Sequence, residues 1–388
     1  MADVMAEFYD GPHATPKPSE SGGVYLGIKN LTESGALDLS QTRLIADVDI
    51  PKWTKRVTPR GGDLVFSYEA TLHRYAVIPD GFYGTLGRRL ALIRVDENVI
   101  LRDFLLYTFL GPTWHRVVES RMNIGSTVDR IPLTDFPNYP LTVPPIEVQT
   151  RIVEVLRAFD DLIENNRRRI EILEEMARLL YREWFVHFRF PGHEDVEMVD
   201  SELGPIPDGW RVRQLGELIE RLSPGKRYKQ ADVQASGSVP VVDQSRAELL
   251  GFHSDEPGVL ASVHEPRLIF GDHTCKIEVL VEPFSVGPNV IPFYSESIPS
   301  LALAQLVNGL VETREYKRHW SDLQSKCVLA ASESLYDDFA HRVADMTSLR
   351  QNLSRQNRVL NEARDLLLPR LVCGELDVSE LDLDEVLA

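Results

Sequence analysis

The chain has 388 residues, too many for one compact core, so a single small module is excluded and two or three domains are expected. Its 43% hydrophobic and 26% charged residues exclude general disorder, and three cysteines without C-x-x-C spacing argue against a zinc knuckle or a disulfide framework. The net charge of −17 argues against a uniformly basic surface, but residues 191–210 and 371–388 hold six acids each and no Lys or Arg, so basic faces elsewhere stay open.

The first predicted element is a mixed globular module over 1–143. It has strand-like runs between Gly and Pro turns, followed by a shorter helical stretch over 101–121. Residues 144–190 then predict a long helix, because apolar residues recur at alternating steps of three and four with no Gly or Pro over 146–184. The apolar stripe of this helix consists of Ile152, Leu156, Phe159, Ile163, Ile170 and Leu173.

The second half of the chain begins with an acidic linker over 191–210, whose six Gly and Pro residues predict an extended spacer. Residues 211–331 then repeat the plan of the first module. A second long helix is predicted over 332–372, and we expect it to end or kink at Pro369. An acidic tail follows over 373–388. The apolar stripe of the second helix consists of Phe339, Val343, Met346, Leu353, Leu360 and Leu367.

The two halves resemble each other. The sequence EMARLLYREWFV at 175–186 is similar to NEARDLLLPRLV at 361–372, and each long helix follows a module of the same plan. We therefore expect an α+β fold with a pseudo-twofold internal repeat, in which two mixed α/β modules are separated by two long antiparallel helices. These helices would bury their stripes against each other as a coiled coil. The alternative is that each helix packs on its own module.

Motifs that carry catalysis are missing. The fragment LSPGKRY at 222–228 lacks the first Gly and the hydroxyl residue of a phosphate-binding loop. Glu315 and Lys317 are similar to half of a nuclease site, but no acid precedes them over 297–311, so we interpret them as a helix-surface pair. No apolar window approaches about 18 residues, which predicts no membrane span. We expect a protein without enzyme activity or bound metal, in a reducing cytoplasm.

Several segments resemble the specificity subunits of type I restriction-modification systems, and together they cover essentially the whole chain. Only residues 1–9 precede the first of them, so we expect the first module to lack its opening strand or helix. Residues 330–333, just before the second long helix, lack the two prolines that the family usually has there, which leaves the form of the hinge between the second module and this helix open. The segments are DGPHATP (10–16), GRRLALIR (87–94), GSTVDRIPLTDFPNYPLTVPP (125–145), PPIEVQTRIVEVLRAFDDLIENNRRRIEILEEMARLLYREWFVHFRFPG (144–192), DSELGPIPDGWRVRQLGELI (200–219) and NRVLNEARDLLLPRLVCGELDV (357–378).

The resemblance implies a DNA-recognition subunit without activity of its own. Its modules would be target recognition domains, each reading one half of a bipartite, asymmetric site on double-stranded DNA, while the helix pair sets the spacer. The implied partners are two methyltransferase subunits, which bind S-adenosylmethionine, and motor-nuclease subunits, which use ATP and Mg. This chain itself would bind no cofactor.

Basic side chains in strand or loop sequence are the candidates for DNA contact, because Arg can hold a guanine edge and Lys more often binds a phosphate. In the first module we predict Lys55, Arg56, Arg74, Arg88 and Arg89, with Lys55, Arg74 and Arg88 favoured. Neighbours on a strand point to opposite faces, so at most one of the last two would face DNA. Ordinary solvent exposure is the alternative throughout. The candidates of the second module are Lys226, Arg227, Tyr228, Lys229, Arg267 and Lys276.

A protein of another class would also fit the net acidity. This alternative is a coiled-coil adaptor that joins protein partners and does not touch DNA. Retention on duplex DNA that falls as salt rises would favour the DNA-recognition subunit over the adaptor.

Overall fold

The structure is a computed structural model that describes residues 1–122, 128–202, 204–245, 249–313 and 318–378. Its contacts divide the chain into two compact units. The first unit combines Met1–Asn165 with Gln356–Ala388, and the second is Asn166–Arg355. Each unit therefore contains one module and a part of each long helix.

Two sheets form the first module. The larger sheet is antiparallel with the spatial order β1-β7-β4-β5, and the smaller has the order β3-β2-β6, in which β2 and β6 are parallel. All four residues of β4 are buried, as expected for a strand covered on both faces. The strands are β1 (Met5–Asp10), β2 (Gly23–Leu26), β3 (Arg43–Ile45), β4 (Leu64–Ser67), β5 (Tyr75–Val77), β6 (Gly84–Leu86) and β7 (Leu90–Val95).

Three helices complete the first module: α1 (Ile50–Trp53), α2 (Arg102–Leu110) and α3 (Pro112–Glu119). Pro112 is the first residue of α3, a position where its fixed φ and missing N–H are well tolerated. The Phe109 ring lies 4.5 Å from Trp114 and 5.1 Å from Tyr75 between ring centroids. These aromatic contacts pack α2 and α3 on the larger sheet.

The first long helix, α4, spans Ile146–Tyr181 and continues as a π-helical turn over Arg182–Val186. Gln149 near its beginning is fully buried. The Gln149 carboxamide accepts a hydrogen bond from the backbone N–H of Leu101 at 2.8 Å and donates one to the Pro144 carbonyl at 2.8 Å. Because a buried carboxamide needs such partners, these bonds attach the start of α4 to the first module.

The second module repeats the first strand by strand. Its sheets have the orders β11-β17-β14-β15 and β13-β12-β16, again with a parallel pair, β12 and β16. The predicted duplication is confirmed, and the second unit adds a β8-β9 hairpin and a β10-β18 pair. The elements are β8 (Met198–Ser201), β9 (Gly204–Pro207), β10 (Arg211–Gln214), β11 (Glu220–Arg221), β12 (Val239–Val242), β13 (Leu249–His253), β14 (Arg267–Gly271), β15 (Ile277–Leu280), β16 (Ser285–Val286), β17 (Val290–Tyr294), α5 (Ser300–Val307), α6 (Trp320–Gln324), β18 (Cys327–Ala330) and α7 (Glu333–Val372).

In the first unit the end portion of α7 pairs with the beginning of α4. The Arg364 guanidinium donates to the Asp160 carboxylate at 2.8 Å, and the Asn357 side chain donates to the Ile163 carbonyl at 3.2 Å. The later residue of α4 thus meets the earlier residue of α7. The two helix portions are therefore antiparallel.

In the second unit the beginning of α7 pairs with the end of α4. The Phe339 ring lies 5.7 Å from the Tyr181 ring between centroids, and the Arg350 guanidinium donates to Glu174 at 3.4 Å. The direction is again antiparallel, as predicted. Both helices also pack on the module of the unit, because each unit buries helix and sheet residues in one core. The two arrangements that the sequence left open are therefore combined.

None of the twelve predicted stripe residues is exposed. Ile152, Leu156, Ile163, Phe339, Val343 and Leu353 are buried, and Phe159, Ile170, Leu173, Met346, Leu360 and Leu367 are half-buried. In the parts of the chain that the structure describes, no helix is long and apolar enough to cross a membrane.

Residues 191–202 and 204–210 are folded, which corrects the predicted extended linker over 191–210. His193–Asp195 form a 3-10 helix, and β8 and β9 form an antiparallel hairpin. Ile206 and Trp210 are buried in the core of the second unit, with the Trp210 ring 5.6 Å from Phe190. All six acids of the segment are exposed. The apolar residues therefore hold the segment in place while the acids stay in water.

The second long helix does not end at Pro369, which was one of the two outcomes expected there. α7 passes through this proline and ends at Val372. Proline removes one backbone hydrogen bond from a helix. Leu368, Leu371 and Val372 are buried in the core of the first unit, and this burial stabilises the last turn despite the missing bond.

Candidate nucleic-acid interface

Three exposed cations surround the small sheet β3-β2-β6 of the first unit. Tyr25 on β2 is the cross-strand partner of Arg43, and its hydroxyl accepts a hydrogen bond from the backbone N–H of Arg88 at 2.8 Å. The Thr85 hydroxyl on β6 donates a hydrogen bond to the carbonyl of Trp53, the last residue of α1, which lies two positions before Lys55. Within the described residues, the side chains of Arg43, Lys55 and Arg88 form no ion pair. They are therefore available to a polyanion.

Arg43 was not among the predicted residues. It is exposed at the start of β3, whereas Ile45 on the same strand is fully buried. This alternation of polar and apolar residues is the pattern of a half-buried strand, so it could have pointed to Arg43.

In the second unit, residues 226–229 lie beside β16. Arg227 forms a parallel bridge with Val286, and its guanidinium donates to the Val290 carbonyl at 2.6 Å. Burial lowers the pKa of Arg227, although an arginine remains charged at neutral pH. This side chain therefore holds the segment against the small sheet.

Tyr228 supports the same segment from within. It is buried, stacks on His253 with ring centroids 4.1 Å apart, and donates from its hydroxyl to Asp255 at 3.2 Å. The Lys226 ammonium lies 4.3 Å from the centre of the Tyr228 ring. Lys226, Arg227 and Lys229 are all exposed, but Arg227 is bonded to backbone carbonyls, so the two lysines are the better candidates for contact with a polyanion.

The other two candidates of the second unit are already engaged. The Arg267 guanidinium lies 5.3 Å from the centre of the Tyr294 ring and also pairs with Glu265. The Lys276 ammonium lies 2.9 Å from the Glu278 carboxylate. A DNA contact by either side chain would have to replace or share these interactions.

Comparison with known proteins gives a family match for part of the chain. Residues 20–175 match the family model for the type I restriction modification DNA specificity domain. These residues belong to that family. They include the small sheet with its exposed cations, so the candidate interface of the first unit lies within the specificity domain. The matched stretch is therefore similar to the DNA-recognition part of such a system.

Relatives extend the similarity to most of the chain. It is 24% identical to the type I restriction enzyme MjaIX specificity subunit of Methanocaldococcus jannaschii, covering 87% of this chain and 83% of that protein. It is also 24% identical to the HindI specificity subunit of Haemophilus influenzae, covering 84% and 89%. The crystal structure of a type I restriction-modification S subunit from M. genitalium has the same fold, with a TM-score of 0.53, 14% identity and coverage of 95% and 94%.

Three of the predicted arginines of the first module are paired with carboxylates. The three pairs are partly open to water, where ion pairs contribute on the order of 1 kcal/mol, so a phosphate could displace a carboxylate at moderate cost. The paired arginines are nevertheless weaker candidates than the unpaired cations, because their charge is already compensated. The pairs are Arg56 with Asp10, Arg74 with Glu33 and Arg89 with Glu69.

Arg88 and Arg89 lie in the turn between β6 and β7, which corrects their expected position on a strand. Arg89 has a φ of +74°, and its guanidinium donates to Glu69 at 2.8 Å. Arg88 is exposed and has no such partner among the described residues. Arg88 and Arg89 therefore differ in exposure and pairing because of the turn that they occupy, and not because neighbours on a strand point to opposite faces.

Glu315 and Lys317, considered above as half of a nuclease site, lie outside the described residues. Within the described residues, no group of three or more His, Cys, Asp or Glu side chains could hold a metal ion.

Proposed function

We propose that this chain is the DNA-recognition subunit of a type I restriction-modification complex. Each module reads one half of a bipartite, asymmetric DNA site, and the antiparallel helices set the spacer between the half-sites. The observation that carries this proposal is the duplicated fold, in which two sheets of identical strand order occur twice in one chain. Two similar reading modules fit a site with two separate parts.

The two modules share a backbone plan but not the side chains that would face DNA. The turn after β6 is Gly-Arg-Arg at 87–89, and the equivalent turn after β16 is Gly-Pro-Asn at 287–289. The third residue of each turn has a positive φ, +74° at Arg89 and +59° at Asn289. Because base recognition depends on side-chain donors and acceptors, the two modules would prefer different sequences. This difference supports an asymmetric site.

One face of α4 in the second unit supports the proposed protein partners. Ile172, Met176, Leu179 and Val186 are 59%, 45%, 45% and 54% exposed. Ile172, Met176 and Leu179 follow each other at steps of four and three, which places them on one side of α4, and Val186 lies in the π-helical turn after it. Contiguous exposed apolar residues are typical of surfaces that a partner covers.

The partner proposed for these four exposed apolar residues is the methyltransferase subunit. A complete complex would contain two methyltransferase subunits, which bind S-adenosylmethionine, and motor-nuclease subunits, which use ATP and Mg. The three cysteines are free, which fits the reducing cytoplasm that we predict as its location.

Selection from a random duplex library tests the function. The chain, co-purified with its methyltransferase partner, is expected to enrich duplexes with two short constant sequences separated by a spacer of constant length. Retention should fall as salt rises, because Lys and Arg displace counterions from phosphates.

The alternative is the protein adaptor, which the net charge of −17 favours. It predicts stable partner binding, no enriched sequence and no retention on duplex DNA at any salt concentration. That result would reject the proposed function.

A further inference from the structure

A chain of polar contacts in the first unit joins three separate helices. The Tyr107 hydroxyl of α2 donates to the Asp160 carboxylate of α4 at 2.7 Å, and Arg364 of α7 donates to the same carboxylate at 2.8 Å. Tyr107 is 5% exposed and the Arg364 side chain 15% exposed. Hydrogen bonds to a charged group are stronger than neutral ones, and shielding from water strengthens them further. Burial raises the pKa of the Tyr107 phenol, and Asp160 raises it further, so the hydroxyl remains a donor.

Two more contacts reinforce the attachment of α2 to α4. Arg157 of α4 pairs with Asp103 in the first turn of α2. Gln149 of α4 accepts a hydrogen bond from Leu101, the residue before α2. The helix α2 is thus bound to α4 at three successive levels, and only the contact at Asp160 also reaches α7.

The internal repeat identifies the equivalent positions in the second unit. Tyr107 is the sixth residue of α2 as Gln305 is the sixth of α5, and Asp160 is the fifteenth residue of α4 as Thr347 is the fifteenth of α7. Counted from the start of each helix, Arg364 of α7 corresponds to Ala177 of α4, whereas the sequence match between 175–186 and 361–372 places it opposite Arg178.

At the positions of Tyr107 and Asp160 the second unit therefore has Gln305 and Thr347, so the tyrosine and the carboxylate of the contact chain are replaced there. Gln305, Thr347 and Ala177 line a cavity of about 250 Å³ in the second unit. The Thr347 hydroxyl donates to the Val343 carbonyl of its own helix at 3.0 Å, so it does not join α7 to α5. Both sets of residues border a cavity, of about 330 Å³ in the first unit and about 250 Å³ in the second, but in the first unit hydrogen bonds through Asp160 join the three residues to one another.

We propose that Tyr107, Asp160 and Arg364 are positioning residues that hold the first module at one angle on its helix pair. The second module, in which Gln305 and Thr347 replace the tyrosine and the carboxylate, is held less strictly. This inference rests on the proposed function, because the angle of a module matters only when the module must reach a half-site at a set distance. One base pair changes that distance by about 3.4 Å and the direction by roughly a tenth of a turn. A small rotation of a module therefore changes which spacer fits.

The test measures the spacer tolerance of the complex with its methyltransferase partner. After the site has been found by library selection, duplexes with the best spacer and with spacers one base pair shorter or longer are compared for methylation. Tyr107→Phe removes only the hydroxyl and keeps the buried ring. It should raise methylation of the altered spacers relative to the best spacer about tenfold, roughly the factor carried by one hydrogen bond to a charged group. Asp160→Asn should act in the same direction.

Arg350→Gln is the matched control. It removes the contact of Arg350 with Glu174, which joins the two long helices in the second unit and is not part of the contact chain. This variant should keep the spacer preference of the unmodified chain, and all variants should select the same half-site sequences. Unchanged spacer preference in Tyr107→Phe and Asp160→Asn would overturn the positioning role alone. Failure of the unmodified complex to select any two-part site would reject the proposed function as well.

Discussion

At the scale of single residues, neighbouring cations differ in whether a carboxylate is already paired with them. Arg88 is exposed without an ion pair among the described residues, whereas Arg89 is tied to Glu69. Both occupy the turn after β6, so their contributions can be compared directly.

Arg88→Gln is expected to weaken binding of the selected duplex by about 1–3 kcal/mol if Arg88 reads a base, and to lower the salt slope by about 1 if it binds a phosphate. Arg89→Gln should cost less, because Arg89 must first leave its carboxylate. Fluorescence anisotropy of the purified complex at several salt concentrations measures both effects. Equal losses for the two variants would contradict this ranking.

His73 makes the stability of the first unit depend on pH. Its ring stacks on His115 with centroids 4.0 Å apart and forms a hydrogen bond with the Tyr75 hydroxyl at 3.2 Å. Burial, and next the neighbouring His115, lower the pKa of His73 from 6.5 to about 4. Between these values the unfolded chain binds a proton that the folded chain does not. The free energy of unfolding should therefore fall as the pH drops from about 6.5 toward 4.

His73→Asn is expected to remove about 2 kcal/mol of the stability lost between pH 7 and pH 5. Asparagine suits this position, because His73 has a φ of +57° and asparagine tolerates the left-handed region. Urea unfolding at the two pH values gives the difference. His264→Asn, at an exposed loop position, is the control and should leave the pH dependence as it is. The same dependence in both variants would exclude the contribution of His73.

At the scale of elements, α4 serves two surfaces at once. One side buries the apolar stripe against α7 and the modules, and another side leaves Ile172, Met176 and Leu179 exposed, followed by the exposed Val186 in the π-helical turn. Exposing several neighbouring apolar side chains to water is unfavourable for a helix pair that has no partner. The second surface therefore indicates a partner.

Met176→Glu should weaken binding of the methyltransferase subunit at least about tenfold, because a carboxylate would be buried there without a counterion. Leu260→Glu is a suitable control, since Leu260 is 72% exposed in the second module and lies outside the stripe. Co-purification and analytical ultracentrifugation measure the association. If Leu260→Glu weakened the complex as much as Met176→Glu, the exposed apolar surface that includes Met176 would not be the docking surface.

At the scale of the whole molecule, the proposed spacer depends on the length of the two helices. Insertion of seven residues into each helix, after Asn165 and after Arg355, preserves the heptad pattern and adds about 10.5 Å of helix. The preferred DNA spacer should then lengthen by about three base pairs, with both half-site sequences unchanged. Methylation of duplexes with graded spacers measures the shift. An unchanged optimum would show that the helices do not set the spacing.

The long helices could be predicted from the sequence because their signal is local. The spacing of residues such as Leu156 and Val343, and the absence of Gly and Pro over 146–184, depend only on neighbours within two turns. The duplication was also visible, since it requires only that two segments of one chain be compared. The hairpin at 191–210 was missed because acids, Gly and Pro dominate the composition, while Trp210 is held by a core made of distant residues.

The sequence by itself determined the duplicated order of elements and the candidate cations, whereas only the tertiary structure decided which cations are available. Arg89 meets Glu69, Arg227 meets the Val290 carbonyl, and Arg364 meets Asp160, all far apart along the chain. Periodicity is set by covalent neighbours and can be seen in the sequence. Charge compensation and burial are set by residues that only the folded chain brings together, so they depend on the tertiary structure.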